Sequence, residues 1–98
     1  MLTYCFDLDG TLCETKGSDY KNSQPKYNRI ARVNELLAKG QRIIIFTALG
    51  SSSGQDWTEL TKFQLEEWGV RYHGVIFGKP SADFYVDDKA ISDQVFFT

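Results

Sequence analysis

Apolar residues occur along the chain as short continuous runs that alternate with longer amphipathic stretches. The runs Leu2–Leu8 and Arg42–Phe46 are typical of buried strands, the second because its apolar residues are uninterrupted. Between them, residues 25–39 carry apolar side chains at helical spacing, with Pro25 in the first turn and Gly40 after the last. This half therefore predicts a strand, a helix and a second strand in that order.

The second half repeats the alternation with shorter strands. Residues 56–68 predict a helix that begins at Asp56 with a capping box and buries an apolar stripe. Val75–Phe77 and Phe84–Val86 predict a third and a fourth strand, and Val95–Phe97 predicts a short edge strand. The alternation favours an α/β fold, a small three-layer Rossmann-like sandwich with a mostly parallel sheet. A chain of 98 residues accommodates one domain, 1–98, with no cap domain.

Composition narrows the class of protein. Hydrophobic residues make up 42% and charged residues 24%, which is typical of a globular domain. Eleven basic against thirteen acidic residues give a net charge of −2, which argues against nucleic-acid and anionic-membrane partners. The chain has neither the roughly 20-residue apolar run of a membrane span nor a leader pattern. Cys5, in a strand predicted to be buried, and Cys13 are expected as reduced thiols of a cytoplasmic protein.

Acidic residues follow the predicted strands at their carboxyl ends. The first strand is followed by one pair and the fourth strand by another: Asp7, Asp9, Asp87 and Asp88. Because carboxyl ends of parallel strands form one crevice, these carboxylates are expected to converge and to need a cation. A ligand set made only of oxygens suits Mg²⁺. Thr47 ends the second strand at the same edge, and Lys79 adds a positive charge there.

Four segments in order resemble the motifs of the haloacid dehalogenase superfamily of aspartate-nucleophile phosphatases. The first is Phe6-Asp7-Leu8-Asp9-Gly10-Thr11, and the later three are Phe46-Thr47, Lys79-Pro80 and Tyr85-Val86-Asp87-Asp88. Together they cover nearly the whole chain. Their short spacing resembles capless members associated with capsule and surface-polysaccharide biosynthesis.

The resemblance implies a role for each matched residue. Asp7 would be the nucleophile, Asp9 the general acid and base, and Lys79 the group that steadies the nucleophile and the phosphate. Thr47 would donate a hydrogen bond to a phosphate oxygen. Independently of the resemblance, the loop from Ala48 to Gly54 could supply further donors because it lies just before a predicted helix N-terminus. Mg²⁺ would bind Asp7, the Asp9 backbone carbonyl and Asp87, with Asp88 bound directly or through water. The implied activity is a Mg²⁺-dependent phosphatase acting on a small phosphorylated metabolite such as a sugar or polyol phosphate.

Two departures from the pattern keep other interpretations open. Leu49 stands where such members often carry arginine, which leaves open an altered-function member. Only four residues, Pro80–Asp83, separate the Lys79 motif from the fourth predicted strand, although a parallel crossover usually takes about a dozen. The alternative from another class is a non-catalytic receiver-like module phosphorylated on aspartate, and Asp9, as a proton-transfer group, argues against it.

Two polar loops are candidates for substrate selection, residues 10–24 and residues 48–55. Asp19 and Tyr20 in the first loop are candidate substrate contacts. Because the chain is too short for a cap, we expect a flap from this loop, a homo-oligomer, or both to enclose the site.

Overall fold

The structure is a computed structural model that describes residues 1–48 and 56–98. Its Cα radius of gyration is 13.0 Å. The elements in chain order are β1 (Thr3–Asp7), β2 (Cys13–Glu14), β3 (Gln24–Pro25), α1 (Tyr27–Ala38), β4 (Arg42–Thr47), α2 (Thr58–Glu67), β5 (Gly74–Phe77) and α3 (Asp93–Phe96).

Strands β1, β4 and β5 form a parallel sheet in the order β1-β4-β5. Cys5 pairs with Ile44 and Ile45 pairs with Val75, so the three carboxyl ends lie along one edge. The strands are joined through α1 and α2, the helical connections that parallel neighbours need. The expected α/β, Rossmann-like fold with a mostly parallel sheet is confirmed.

The core lies on the face of the sheet that carries Phe6 and Ile45, which are paired across β1 and β4. Val33 of α1 and Leu65 of α2 are fully buried against this face. Both helices end at a glycine with positive φ, Gly40 and Gly69, as the sequence predicted. Neither is long and apolar enough to span a membrane, and the same holds for every helix in the described ranges.

The start of α1 differs from the prediction. Gln24 and Pro25 belong to β3, which pairs antiparallel with Cys13 and Glu14, so the helix begins at Tyr27 instead of Pro25. Ser23 does not cap the helix, whose N-cap position is Lys26; its hydroxyl instead shares a hydrogen bond with Thr15. Residues 10–24 therefore form a small two-stranded hairpin with a 3₁₀ turn at Tyr20–Asn22, instead of an irregular loop.

The expectation that Cys5 is buried is wrong. Alternate residues of a strand point to opposite faces, and Cys5 lies on the face away from Phe6, where it is exposed. Ile76 of β5 is also 51% exposed. Cys13 is buried, and both cysteines are free thiols.

The C-terminal quarter of the chain departs most from the predicted strands. Phe84–Val86 joins no strand of the sheet and is exposed to solvent. Val95–Phe97 is not an edge strand, because residues 93–96 form α3 and place two rings against the core. Phe96 and Phe97 lie 5.5 and 5.9 Å from the Phe6 ring. Aromatic packing on β1 has therefore outweighed the strand propensity of this apolar triplet.

Candidate functional site

Asp7 is the last residue of β1 and stands at the carboxyl edge of the sheet with both carboxylate oxygens engaged. Lys79 places Nζ 3.3 Å from Oδ1, and the Thr11 hydroxyl donates to Oδ2 at 3.1 Å. The Asp7 side chain is 31% exposed. It is thus held in one orientation while it remains open to a ligand in the crevice.

A tight turn after β1 brings Thr11 back to Asp7. The Leu8 carbonyl accepts hydrogen bonds from the amides of Thr11, Leu12 and Cys13, and buried Leu8 and Leu12 fix the turn to the core. Gly10 sits at φ +87°, a conformation that residues with a side chain rarely adopt. The Asp-Gly-Thr sequence therefore positions a hydroxyl donor four residues after the carboxylate it binds.

Lys79 reaches Asp7 from the opposite outer strand. Its amide donates to the Thr47 carbonyl at 3.1 Å, which extends the ladder of β4 and β5 past Phe77. The ammonium lies 4.3 Å from the centre of the Tyr85 ring, a cation–π contact. The Lys79 side chain is only 18% exposed, so its charge is fixed beside Asp7.

Asp9 lies in the turn, exposed, and its nearest described partner is a thiol. Cys13 Sγ is 4.0 Å from Asp9 Oδ1. Burial, together with the negative charge of Asp9, raises the pKa of the Cys13 thiol to about 11. Cys13 is therefore protonated at neutral pH, and the Asp9 side chain is exposed to solvent.

Thr47 and Ala48 lie where the sequence predicts. Thr47 is the last residue of β4 and is 1% exposed, and Ala48 follows it, half-buried. The Leu49 position and the rest of the predicted loop, residues 50–55, lie outside the described residues.

Asp87 and Asp88 are exposed and do not follow a strand. A hydrogen bond from the Lys89 amide, at 2.8 Å, and one with Asp88 lower the pKa of Asp87. Across residues 1–48 and 56–98, no three or more His, Cys, Asp or Glu side chains are grouped so that they could hold a metal ion. The four-carboxylate cluster expected from the sequence is thus not assembled within the described part of one chain.

Asp19 and Tyr20 are held by contacts of their own. Both carboxylate oxygens of Asp19 accept hydrogen bonds from the side-chain amide of Asn22, at 3.0 and 3.1 Å. The Tyr20 ring meets Trp57 edge-on with centroids 5.1 Å apart, and its carbonyl accepts from Gln64 at 2.7 Å. These bonds fix the hairpin turn against α2, and a substrate contact by Asp19 or Tyr20 stays a prediction.

Two residues near Asp7 were not singled out as site residues by the sequence. Thr11 belongs to the first motif, and its spacing from Asp7 was the available indication. Tyr85 was expected in a strand, and nothing in the sequence pairs it with Lys79. Its hydroxyl also donates to the Pro80 carbonyl, which closes a turn around Lys79.

No protein-family model matches the chain, and no curated protein matches it. Among solved structures, the chain is similar to a crystal structure of a structural-genomics target from Vibrio cholerae. The two share 28% sequence identity with a TM-score of 0.91, over 100% of this chain and 89% of the other.

Proposed function

We propose that this protein is a phosphomonoesterase that forms a covalent aspartyl-phosphate on Asp7. The observation that carries the proposal is the cluster of Asp7, Lys79 and Thr11 at the carboxyl edge of a parallel sheet, where open α/β sheets bind ligands. The order of motifs that resemble the haloacid dehalogenase superfamily supports the same chemistry. A sugar or polyol phosphate is the substrate class that we propose.

The first half of the reaction forms the intermediate. A carboxylate oxygen of Asp7 attacks phosphorus, and the bond from phosphorus to the alcohol oxygen of the substrate breaks. Asp9 donates a proton to that oxygen, so the alcohol leaves neutral. Lys79 and the Thr11 hydroxyl hold the Asp7 carboxylate in position, and Lys79 offsets negative charge as the phosphoryl group transfers.

The second half restores the enzyme. Water attacks phosphorus while Asp9 takes its proton, and the bond between phosphorus and the Asp7 oxygen breaks. The products are inorganic phosphate and the free Asp7 carboxylate. Mg²⁺ remains part of the proposal as the cation that the resemblance implies, but no step is derived through it, because the described residues of one chain do not gather its ligands.

The decisive test is turnover of a small panel of phosphomonoesters, sugar phosphates and an aryl phosphate among them, with Mg²⁺ and with excess chelator. The wild-type protein is expected to release phosphate, and Asp7→Asn is expected to retain less than about a hundredth of that rate because an amide is a poor nucleophile. Its melting temperature should stay close to wild type, since Asp7 is partly exposed. An active Asp7→Asn protein would exclude Asp7 as the nucleophile. One phosphate retained per chain without turnover would indicate a receiver-like module instead.

A further inference from the structure

The segment Pro80–Ser92, here called the arm, is exposed along its whole length. It contains neither a helix nor a strand, although the rest of the described chain is folded around one core. Phe84 is 85% exposed and Val86 is 98% exposed. The chain is fixed immediately before the arm by Lys79 and immediately after it by Asp93, whose carboxylate binds Arg29 at 2.6 Å. A run of exposed apolar side chains fixed at both ends is typical of a surface that another molecule covers.

The outer edge of β1 also lacks a partner among the described residues. One side of β1 is paired with β4, and no other strand within residues 1–48 and 56–98 is paired with β1. In the described residues, no backbone hydrogen bond other than those with β4 involves Thr3–Asp7. An edge with unpaired amides and carbonyls is a template for an added strand.

The register of the sheet fixes where the arm begins relative to this edge. Phe77 is paired one residue farther along the strands than Asp7, and Lys79 follows two residues later. The hydrogen bond from the Lys79 amide to the Thr47 carbonyl holds it there. Lys79, the last residue before the arm, therefore lies about three residue levels beyond Asp7, at the strand farthest from the open edge.

The arm cannot form a four-residue strand, Phe84–Asp87, on the open edge of its own β1 in the parallel register that pairs Asp87 with Asp7. Phe84 would then lie six levels below Lys79, about 20 Å along the strands, and three strand spacings, about 14 Å, across the sheet. The straight line is about 24 Å, whereas the five Cα steps from Lys79 to Phe84 span at most about 18 Å. A path over a face of the sheet is longer still. The β1 edge of a second copy does not stand at this fixed distance from Lys79, so a dimer can bring it within the reach of the arm.

We propose that the arm of one copy adds as a parallel strand to the open edge of β1 in a second copy, reciprocally, in a twofold dimer. In this register Asp87 lies beside Asp7 at the end of the partner copy's β1. Phe84 and Val86 then point to the face of the sheet that carries Phe6. The exchange buries the exposed apolar side chains and supplies the carboxylates missing from one chain's site. Each site is then composite, with Asp7 from one copy and Asp87 from the other.

The first experiment measures mass in solution and does not depend on activity. Light scattering on a sizing column should give twice the 11.2 kDa chain mass for the wild type and one chain mass for Val86→Asp. Val86 is almost fully exposed in one copy, so this change should leave the packing of that copy's core unaffected. The matched control is Val95→Asp, an exposed valine outside the arm, which should remain dimeric. A monomeric wild type, or a Val86→Asp protein that stays dimeric, overturns the proposal.

The second experiment rests on the proposed function. Asp7→Asn and Asp87→Asn proteins, each inactive alone, are unfolded together and refolded as a mixture. Random exchange makes half of the dimers mixed, each with one intact composite site, so about a quarter of wild-type activity should return. A mixture that stays inactive beside an active wild type overturns the composite site. An inactive wild type refutes the proposed function and leaves the mass measurement as the test of the exchange.

Discussion

Replacing Lys79 by Met tests the central contact of the candidate site. At the 3.3 Å between Nζ and the Asp7 oxygen, two unit charges attract by roughly 1.3 kcal/mol in bulk water and by about 5 kcal/mol at an effective dielectric constant of about 20. Both side chains are partly buried, so the electrostatic contribution at this site lies between these limits. We expect Lys79 to attract the negative charge of the transferring phosphoryl group with an energy inside this range. Because about 1.4 kcal/mol corresponds to a tenfold change in rate, the loss of Lys79 should lower kcat/KM about 10²- to 10³-fold.

The assay is phosphate release from an aryl phosphate, measured beside a melting curve for each protein. Lys39→Met is the matched control, because Lys39 binds Glu35 at 3.1 Å on the exposed face of α1, away from the sheet edge. It should keep wild-type kcat/KM. Thr11 still donates to Asp7 in Lys79→Met, and the melting curve establishes that each protein is folded at the assay temperature. Lys79→Met activity within twofold of the control, in an active wild-type background, would refute the role of Lys79 in the reaction.

Three further outcomes are expected. Asp9→Asn should slow turnover by about 10² to 10⁴, because both halves of the reaction need its proton; a fully active variant contradicts the mechanism. Alkylation at pH 8 should modify exposed Cys5 well before buried Cys13. Asp9→Asn removes a negative charge beside Cys13, so the pKa of that thiol, read from the alkylation rate against pH, should fall below about 11. Arg29 lowers the pKa of Asp93 from its ordinary value near 3.8, so this pair stabilises the fold above that pH and the benefit is lost as pH falls through the lowered pKa. The difference in unfolding free energy between wild type and Asp93→Asn should therefore shrink at acid pH, and a constant difference would contradict the pair.

The sequence predicted the central part of the sheet well because its signals are local. The uninterrupted apolar run of β4 and the glycine after α1 indicate their elements without reference to distant residues. Asp7, Thr47 and Lys79 then followed from the rule that parallel strands end at one edge, and the structure places Asp7 beside Lys79. The hairpin at β2 and β3 was missed, since two-residue strands carry almost no periodic pattern.

Local pattern failed where a residue's partner is far away in the chain. Phe84–Val86 and Val95–Phe97 have similar strand propensity, yet the first is exposed and the second packs two rings on β1. Propensity reports how well a side chain fits a pleated surface and does not say whether an open edge lies within reach. That reach depends on the strand order and on the bond that holds Lys79 to Thr47.

The sequence by itself determined the α/β alternation, the apolar core positions and the residue types that end the strands, because each depends on spacing within a few turns or strand lengths. Only the tertiary structure decided which carboxylates meet. It joined Asp7 to Thr11 and Lys79, and it left Asp87 and Asp88 on an exposed arm. The physical reason is a short connection: Lys79 is held to Thr47, and the four residues from Pro80 to Asp83 cannot carry Phe84 across three strand spacings and back to the level at which a parallel strand must begin.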